Sequence, residues 1–218
     1  MTDAQIIEET MAFVQKTLQG AEGGHDWFHI ERVYRNALLI AKDEKVDLLV
    51  VSLGALLHDI ADSKFHGGDE SVGPKMAKDF LMTLGVADTI TQQVTDIILN
   101  ISYKSSLDSR KSFNSKELQV VQDADRLDAI GAIGIARAFN YGGYKNRELY
   151  NPEILPNLKM TKEQYKSSNA PTLNHFYEKL LLLKDKMNTE TGKILAGKRH
   201  RFMQEYLDQF YSEWKGNV

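Results

Sequence analysis

The sequence predicts an all-α fold, and three observations carry that expectation. Apolar residues recur every three or four positions through most of the 218-residue chain. No stretch alternates apolar and polar residues between turn signals, so no strand is expected. Gly20 and Gly85 close two of the periodic segments, as helix ends favour.

Taken in order, Ile7, Met11, Val14 and Leu18 form the first stripe. Residues 26–43 form the second predicted helix, with Val33, Ala37, Ile40 and Ala41 on its apolar side. Residues 47–61 are apolar nearly all round, which predicts a central buried helix. Met76, Ala77, Phe80, Leu81 and Leu84 mark the next helix, and Ile90, Val94, Ile97, Ile98 and Ile101 the one after. The polar, Ser-rich stretch 103–115 is expected to be a loop. Residues 116–139 are predicted helical, with Gly131 and Gly134 weakening the middle or allowing close packing. Residues 141–170 contain Gly142, Gly143, Pro152 and Pro156 and are expected to be a long, partly ordered connection. Two helices close the chain, over roughly 171–187 and 189–214. The expected organisation is a helical core over 1–140, with the loop and C-terminal helices of 141–218 packing on the same domain.

Composition narrows the function classes. A formal net charge of −3 gives no global field for nucleic acid or an anionic membrane. With no cysteine there is no disulfide, thiolate metal site or cysteine nucleophile. The apolar run Leu48–Leu57 is too short to span a bilayer. The N-terminus lacks the basic start and apolar stretch of a signal peptide, so a cytoplasmic protein is expected.

The chemistry-bearing residues gather at predicted helix ends. His25 and His29 lie one turn apart at the start of the second helix. His58-Asp59 ends the most apolar helix, and Asp123, Asp125 and Asp128 follow an apolar stretch. A single His-Asp pair is weak evidence, because such pairs arise by chance and a helix-terminal His also caps carbonyls. Burial strengthens the functional reading. An imidazole and a carboxylate beside Leu53-Gly54-Ala55-Leu56-Leu57 cost free energy without partners. A divalent cation satisfies both, and it relieves the mutual repulsion of clustered carboxylates. Two imidazoles and two carboxylates suit an open octahedral site for Mn2+, Fe2+, Co2+, Ni2+ or Mg2+ more than a closed structural zinc site.

The order His29…His58-Asp59…Asp125 resembles the H…HD…D signature of the HD-domain phosphohydrolase superfamily. The blocks Gly24–His29 with Arg32-Val33, Leu56–Ile60 and Asp123–Gly131 look like those of the small bacterial YpgQ/YedJ-like family of HD hydrolases. The C-terminal blocks His175–Leu180 and Asn188–His200 extend the resemblance over most of the chain with less specificity. It implies an HD-domain helical bundle with His29, His58, Asp59 and Asp125 as metal ligands. It also implies phosphate-ester or anhydride substrates, with nucleoside triphosphate pyrophosphohydrolysis the expected reaction. A 5'-nucleotidase or other phosphomonoesterase, and a non-catalytic nucleotide- or metal-binding regulator, remain as alternatives. Only His66 lies between the His-Asp pair and Asp125, so one metal, Mn2+ by preference, is expected rather than two.

Around the ligands, Asp62 lies three residues beyond Asp59 and is a candidate general base, against a plain surface carboxylate. Asp26 is the second catalytic candidate, with an equally good structural role as a helix N-cap. Lys64, His66, His25 and Arg126 are the substrate-binding candidates, each weighed against a solvated charge or a structural ion pair. Arg126 falls on a different helical side from Asp125, which weighs against direct phosphate contact. Tyr141-Gly142-Gly143-Tyr144 is either an aromatic loop over a nucleobase or a plain turn. Phe202, Tyr206, Phe210 and Trp214 read as a packing face, in the core or between two copies in a homodimer. The expected partner is a small phosphorylated molecule, with no nucleic acid polymer and no membrane.

Overall fold

The computed structural model describes residues 1–20, 26–61, 69, 71–101, 113–159, 161 and 168–217. Among these residues every regular element is a helix. The chain divides into two compact units, Met1–Asp125 and Arg126–Val218.

The first unit holds α1 (Asp3–Thr17), α2 (Trp27–Ala41), α3 (Leu48–Leu57), α4 (Val72–Thr83), α5 (Asp88–Asn100) and most of α6 (Lys116–Asp128). Its centre is α3, where every residue from Leu49 to Leu57 is buried. Leu53, Leu56 and Leu57 are completely enclosed, and burial of a leucine side chain contributes about 2 kcal/mol. Asp47 caps α3 by accepting hydrogen bonds from the Leu49 and Val50 amides at 2.9 and 3.2 Å. This helix packs against α1, α2 and α5, while α4 packs on α5. Two side-chain-to-backbone bonds fix α6 in this unit. Asn36 Nδ2 of α2 donates to the Ala124 carbonyl at 3.3 Å, and Gln122 Nε2 donates to the Asn100 carbonyl of α5 at 3.1 Å.

The second unit holds α7 (Gly131–Tyr144), α8 (Asn174–Glu178), a 3-10 helix (Leu180–Lys186) and α9 (Glu190–Trp214). Here α9 packs against α7 and the 3-10 helix, and α8 against the 3-10 helix. The Asp128 carboxylate is buried and takes a 2.6 Å ion pair from Arg137.

Several expectations change. The predicted single helix over 116–139 is two, α6 and α7, because Gly131 at φ +77 turns the chain between them. The expected loop at Tyr141–Tyr144 is the last turn of α7. Gly142 is buried there, and any side chain would collide with Thr172 Oγ1, so close packing explains that glycine. The predicted helix over 171–187 divides into α8 and the 3-10 helix. In α1 the buried line is Ile6, Thr10 and Val14, with the Thr10 hydroxyl satisfied by the Ile6 carbonyl at 2.7 Å. In α9 the buried line is Ala196, Met203 and Leu207. Phe202 and Trp214 stay about half exposed, while Tyr206 and Phe210 pack with Phe176, Phe139 and Tyr150. The expected Ser-rich loop over 103–115 lies mostly outside the described residues.

Candidate metal centre

Three helices of the first unit bring their ends together at His29, His58 and Asp125. His29 sits in the first turn of α2, on the face that also buries Val33 and Ala37. Asp26 precedes that helix as its N-cap, its Oδ1 accepting from the His29 amide at 2.9 Å. The cap fixes where α2 begins and so holds the imidazole inward, where it is only 2 % exposed.

His58 terminates α3. Apolar side chains bury the whole helix before it, so the ring stays in the core at 8 % exposure. Its Nδ1 lies 2.8 Å from the Ala55 carbonyl. A carbonyl only accepts, so Nδ1 carries the proton in the neutral ring and the Nε2 lone pair is left for a ligand. This is the arrangement in which a second hydrogen bond orients a metal-binding histidine.

Asp125 comes from α6, whose Val120, Val121, Ala124 and Leu127 are buried. Its Oδ1 lies 3.6 Å from His29 Nε2 and 3.9 Å from His58 Nε2. The two imidazole rings stand edge to face with centroids 5.4 Å apart. One ligand atom from each of the three residues falls within 4.8 Å of the others.

These separations test the fit to a metal. Both His-to-Asp distances exceed hydrogen-bond reach. Two ligands on one ion with bonds of about 2.1 Å stand roughly 3–4 Å apart. The donor set is therefore spaced for a shared cation, with two imidazoles as floor and a carboxylate whose side chain is 40 % exposed as the open edge. An open edge leaves room for water and substrate, unlike a closed structural site.

The other expected site residues fall as follows. Asp59 follows His58 in the turn after α3 and is half-buried. Its carboxylate is outside the three-residue cluster and has interactions of its own. Asp26 serves as the α2 cap. Arg126 Nη1 donates to the Lys186 carbonyl at 2.5 Å within the second unit. His25, Asp62, Lys64 and His66 lie outside the described residues. Sequence reasoning missed the Asp128–Arg137 pair. Its nine-residue separation across a helix break has no periodic signature. The sequence places His175 only within a C-terminal block and carries no signal of its perturbed titration. Burial first, then the nearby cations Lys179 and Arg147, push its pKa down to about 3.

Comparison with known proteins places this geometry in a family. The HD domain model matches residues 27–130, which contain all three cluster residues. YpgQ of Bacillus subtilis is 38 % identical over 99 % of this chain and 97 % of its own length. This chain belongs to the HD-domain family. Among solved structures, an HD-superfamily hydrolase from Bacillus thuringiensis is 42 % identical, with a TM-score of 0.79 over 98 % of this chain and 99 % of that one. The structure of B. subtilis YpgQ in complex with ADP is 36 % identical, with a TM-score of 0.75 over 98 % and 97 %. The chain is thus an HD-domain enzyme of the metal-dependent phosphohydrolase class. The His/Asp cluster lies within the matched segment.

Proposed function

We propose that this HD-domain hydrolase cleaves nucleotides, converting a nucleoside or deoxynucleoside triphosphate to the monophosphate and pyrophosphate. One observation carries the reading. His29 and His58 direct Nε2 toward the same Asp125 oxygen across gaps too long for hydrogen bonds and suited to one divalent ion. The ADP held by the related YpgQ supports a nucleotide ligand. The residues proposed to hold the ion are His29, His58, Asp59 and Asp125, with Mn2+ preferred for a mixed imidazole and carboxylate set. A divalent ion bound there supplies Lewis acidity toward a phosphoryl oxygen and lowers the pKa of a coordinated water.

The chain's own groups do the positioning. Ala55 holds the His58 ring through Nδ1, so Nε2 keeps one direction. Asp26 holds the first turn of α2 and with it His29. Asp59 follows His58 directly on the turn after α3 and is proposed as the fourth ligand. Asp62 is proposed as the group that takes the proton of the attacking water. Lys64, His66 and His25 are the proposed phosphate contacts, whereas the Arg126 guanidinium is engaged by the Lys186 carbonyl. A cytoplasmic location is part of this proposal.

The test is a chromatographic product assay with metal-stripped protein, Mn2+ and a panel of ribo- and deoxyribonucleotides. Monophosphate plus pyrophosphate is expected from triphosphates. Nucleoside plus phosphate from monophosphates makes the enzyme a phosphomonoesterase instead. Stoichiometric nucleotide binding without product makes it a regulator. His58→Ala is expected to lose Mn2+ binding and to reduce turnover at least a thousandfold, and full activity in that variant sinks the site assignment.

A further inference from the structure

The unit Arg126–Val218 carries a second feature that shares no residue with the metal cluster. A groove of about 470 Å3 opens on the first half of α9. Lys193, Lys198, His200 and Arg201 of α9 line it together with Lys184 of the 3-10 helix, and none of its lining residues is acidic. Four permanent cations thus converge in a chain whose formal net charge is −3, so the patch is local and not a reflection of a basic protein.

Two of the cations have acidic neighbours that do not line the groove. Lys193 lies 2.6 Å from Glu190 and Lys184 lies 3.8 Å from Asp185, both as solvent-facing pairs. Among the described residues Lys198 and Arg201 have no ion-pair partner. Like charges one turn apart on a helix destabilise it unless an anion intervenes.

Two independent observations point to a ligand. His200 Nδ1 is enclosed and has no hydrogen-bond partner among the described residues, which is unfavourable for a buried polar atom. Burial, and then Lys184, lower the pKa of this imidazole, against the opposing pull of Asp185 and a hydrogen bond with the Leu181 backbone. A bound anion opposes the effect of Lys184 and favours the protonated ring. Gly197, in the groove, sits inside a 25-residue helix. A Cβ there meets nothing within 4 Å. Packing therefore does not require glycine at a position where it is less favourable than alanine. What glycine provides is a floor of bare backbone between the cationic side chains.

We propose that this groove binds a compact, multiply charged phosphate anion, the polyphosphate group of a nucleotide or the free inorganic ion, without a metal. The cavity has the size of small-ligand sites. Lys193 to Arg201 spans roughly 12 Å of helix axis at 1.5 Å per residue, matched to a short polyphosphate and not to a long polyanion track.

Calorimetric titration of the full chain with sodium tripolyphosphate in EDTA tests this. One-to-one binding is expected, weakened at least tenfold in the K198E/R201E double variant. Gly197→Leu changes no charge and improves helix propensity. It is expected to weaken binding at least tenfold with its thermal midpoint unchanged or raised. His58→Ala, which disables the proposed metal centre, is expected to bind as wild type does, so failure of the catalytic reading leaves this one standing. ATP binding with the same variant sensitivity identifies a nucleotide as the source, and response to tripolyphosphate alone identifies the inorganic ion. The proposal is overturned if wild-type protein gives no binding, if both variants bind normally, or if single-stranded DNA binds more tightly than tripolyphosphate.

Discussion

At the scale of single residues, polar groups inside this protein hold their positions because specific partners satisfy them. His58 is held by one carbonyl, which decides which nitrogen faces Asp125. Asp128 shows the cost of the same principle. Its carboxylate is 1 % exposed and paired at 2.6 Å with Arg137, whose guanidinium also reaches the Asp128 carbonyl at 3.3 Å. Removing one member of a buried pair strands the other, so Arg137→Met is expected to lower unfolding free energy by about 3 kcal/mol. Urea denaturation with unchanged m-value checks this, and a loss below ~1 kcal/mol would show that other groups satisfy Asp128. In the sequence the candidate ligands were legible because His-Asp at the end of an apolar run is chemically conspicuous. The Asp128 partner was not, because nothing in residue order relates positions on either side of a helix break.

At the scale of elements, the break between α6 and α7 depends on one glycine. Gly131 adopts φ +77, and a Cβ there would lie 3.0 Å from Arg199 Cβ and Cγ. Arg199 in turn donates to the Leu127 carbonyl at the end of α6. Gly131→Ala therefore meets both backbone strain and a steric conflict, and it is expected to cost about 1–2 kcal/mol. A thermal midpoint equal to wild type would remove the glycine from this role. Helical periodicity located most helices, since the apolar stripe is written every three or four residues. It missed the α6–α7 break, because Gly131 and Gly134 inside a periodic pattern are compatible with either a weak helix or a turn. It also extended a loop through Tyr141–Tyr144, because the packing of Gly142 against Thr172 is a contact thirty residues away in sequence.

At the scale of the whole molecule, stability follows pH through buried titratable groups. His175 has a folded pKa of about 3 against an ordinary value of 6.5, lowered first by burial and then by Lys179 and Arg147. Between these values the unfolded chain binds a proton that the native state does not, so unfolding free energy rises with pH. The contribution is complete above pH 6.5. It is lost as pH falls toward 3, by up to ~1.4 kcal/mol per pH unit. Urea midpoints at pH 7 and pH 5 should therefore fall more steeply in wild type than in His175→Gln. Equal slopes would mean that His175 is protonated in the native protein. No described helix is long and apolar enough to cross a membrane.

The sequence by itself determined the helical class, the buried central helix and the residues from which a metal centre could be assembled, because periodicity and residue chemistry are local properties. It also carried the family resemblance that the 38 % identity to YpgQ supports. Only the tertiary structure decided that His29, His58 and Asp125 meet within 4.8 Å, that Asp26 caps α2, and that a cationic groove lies along α9. Those outcomes depend on how distant segments pack, and packing is set by the shape and burial of many side chains at once. No single stretch of the chain carries that information.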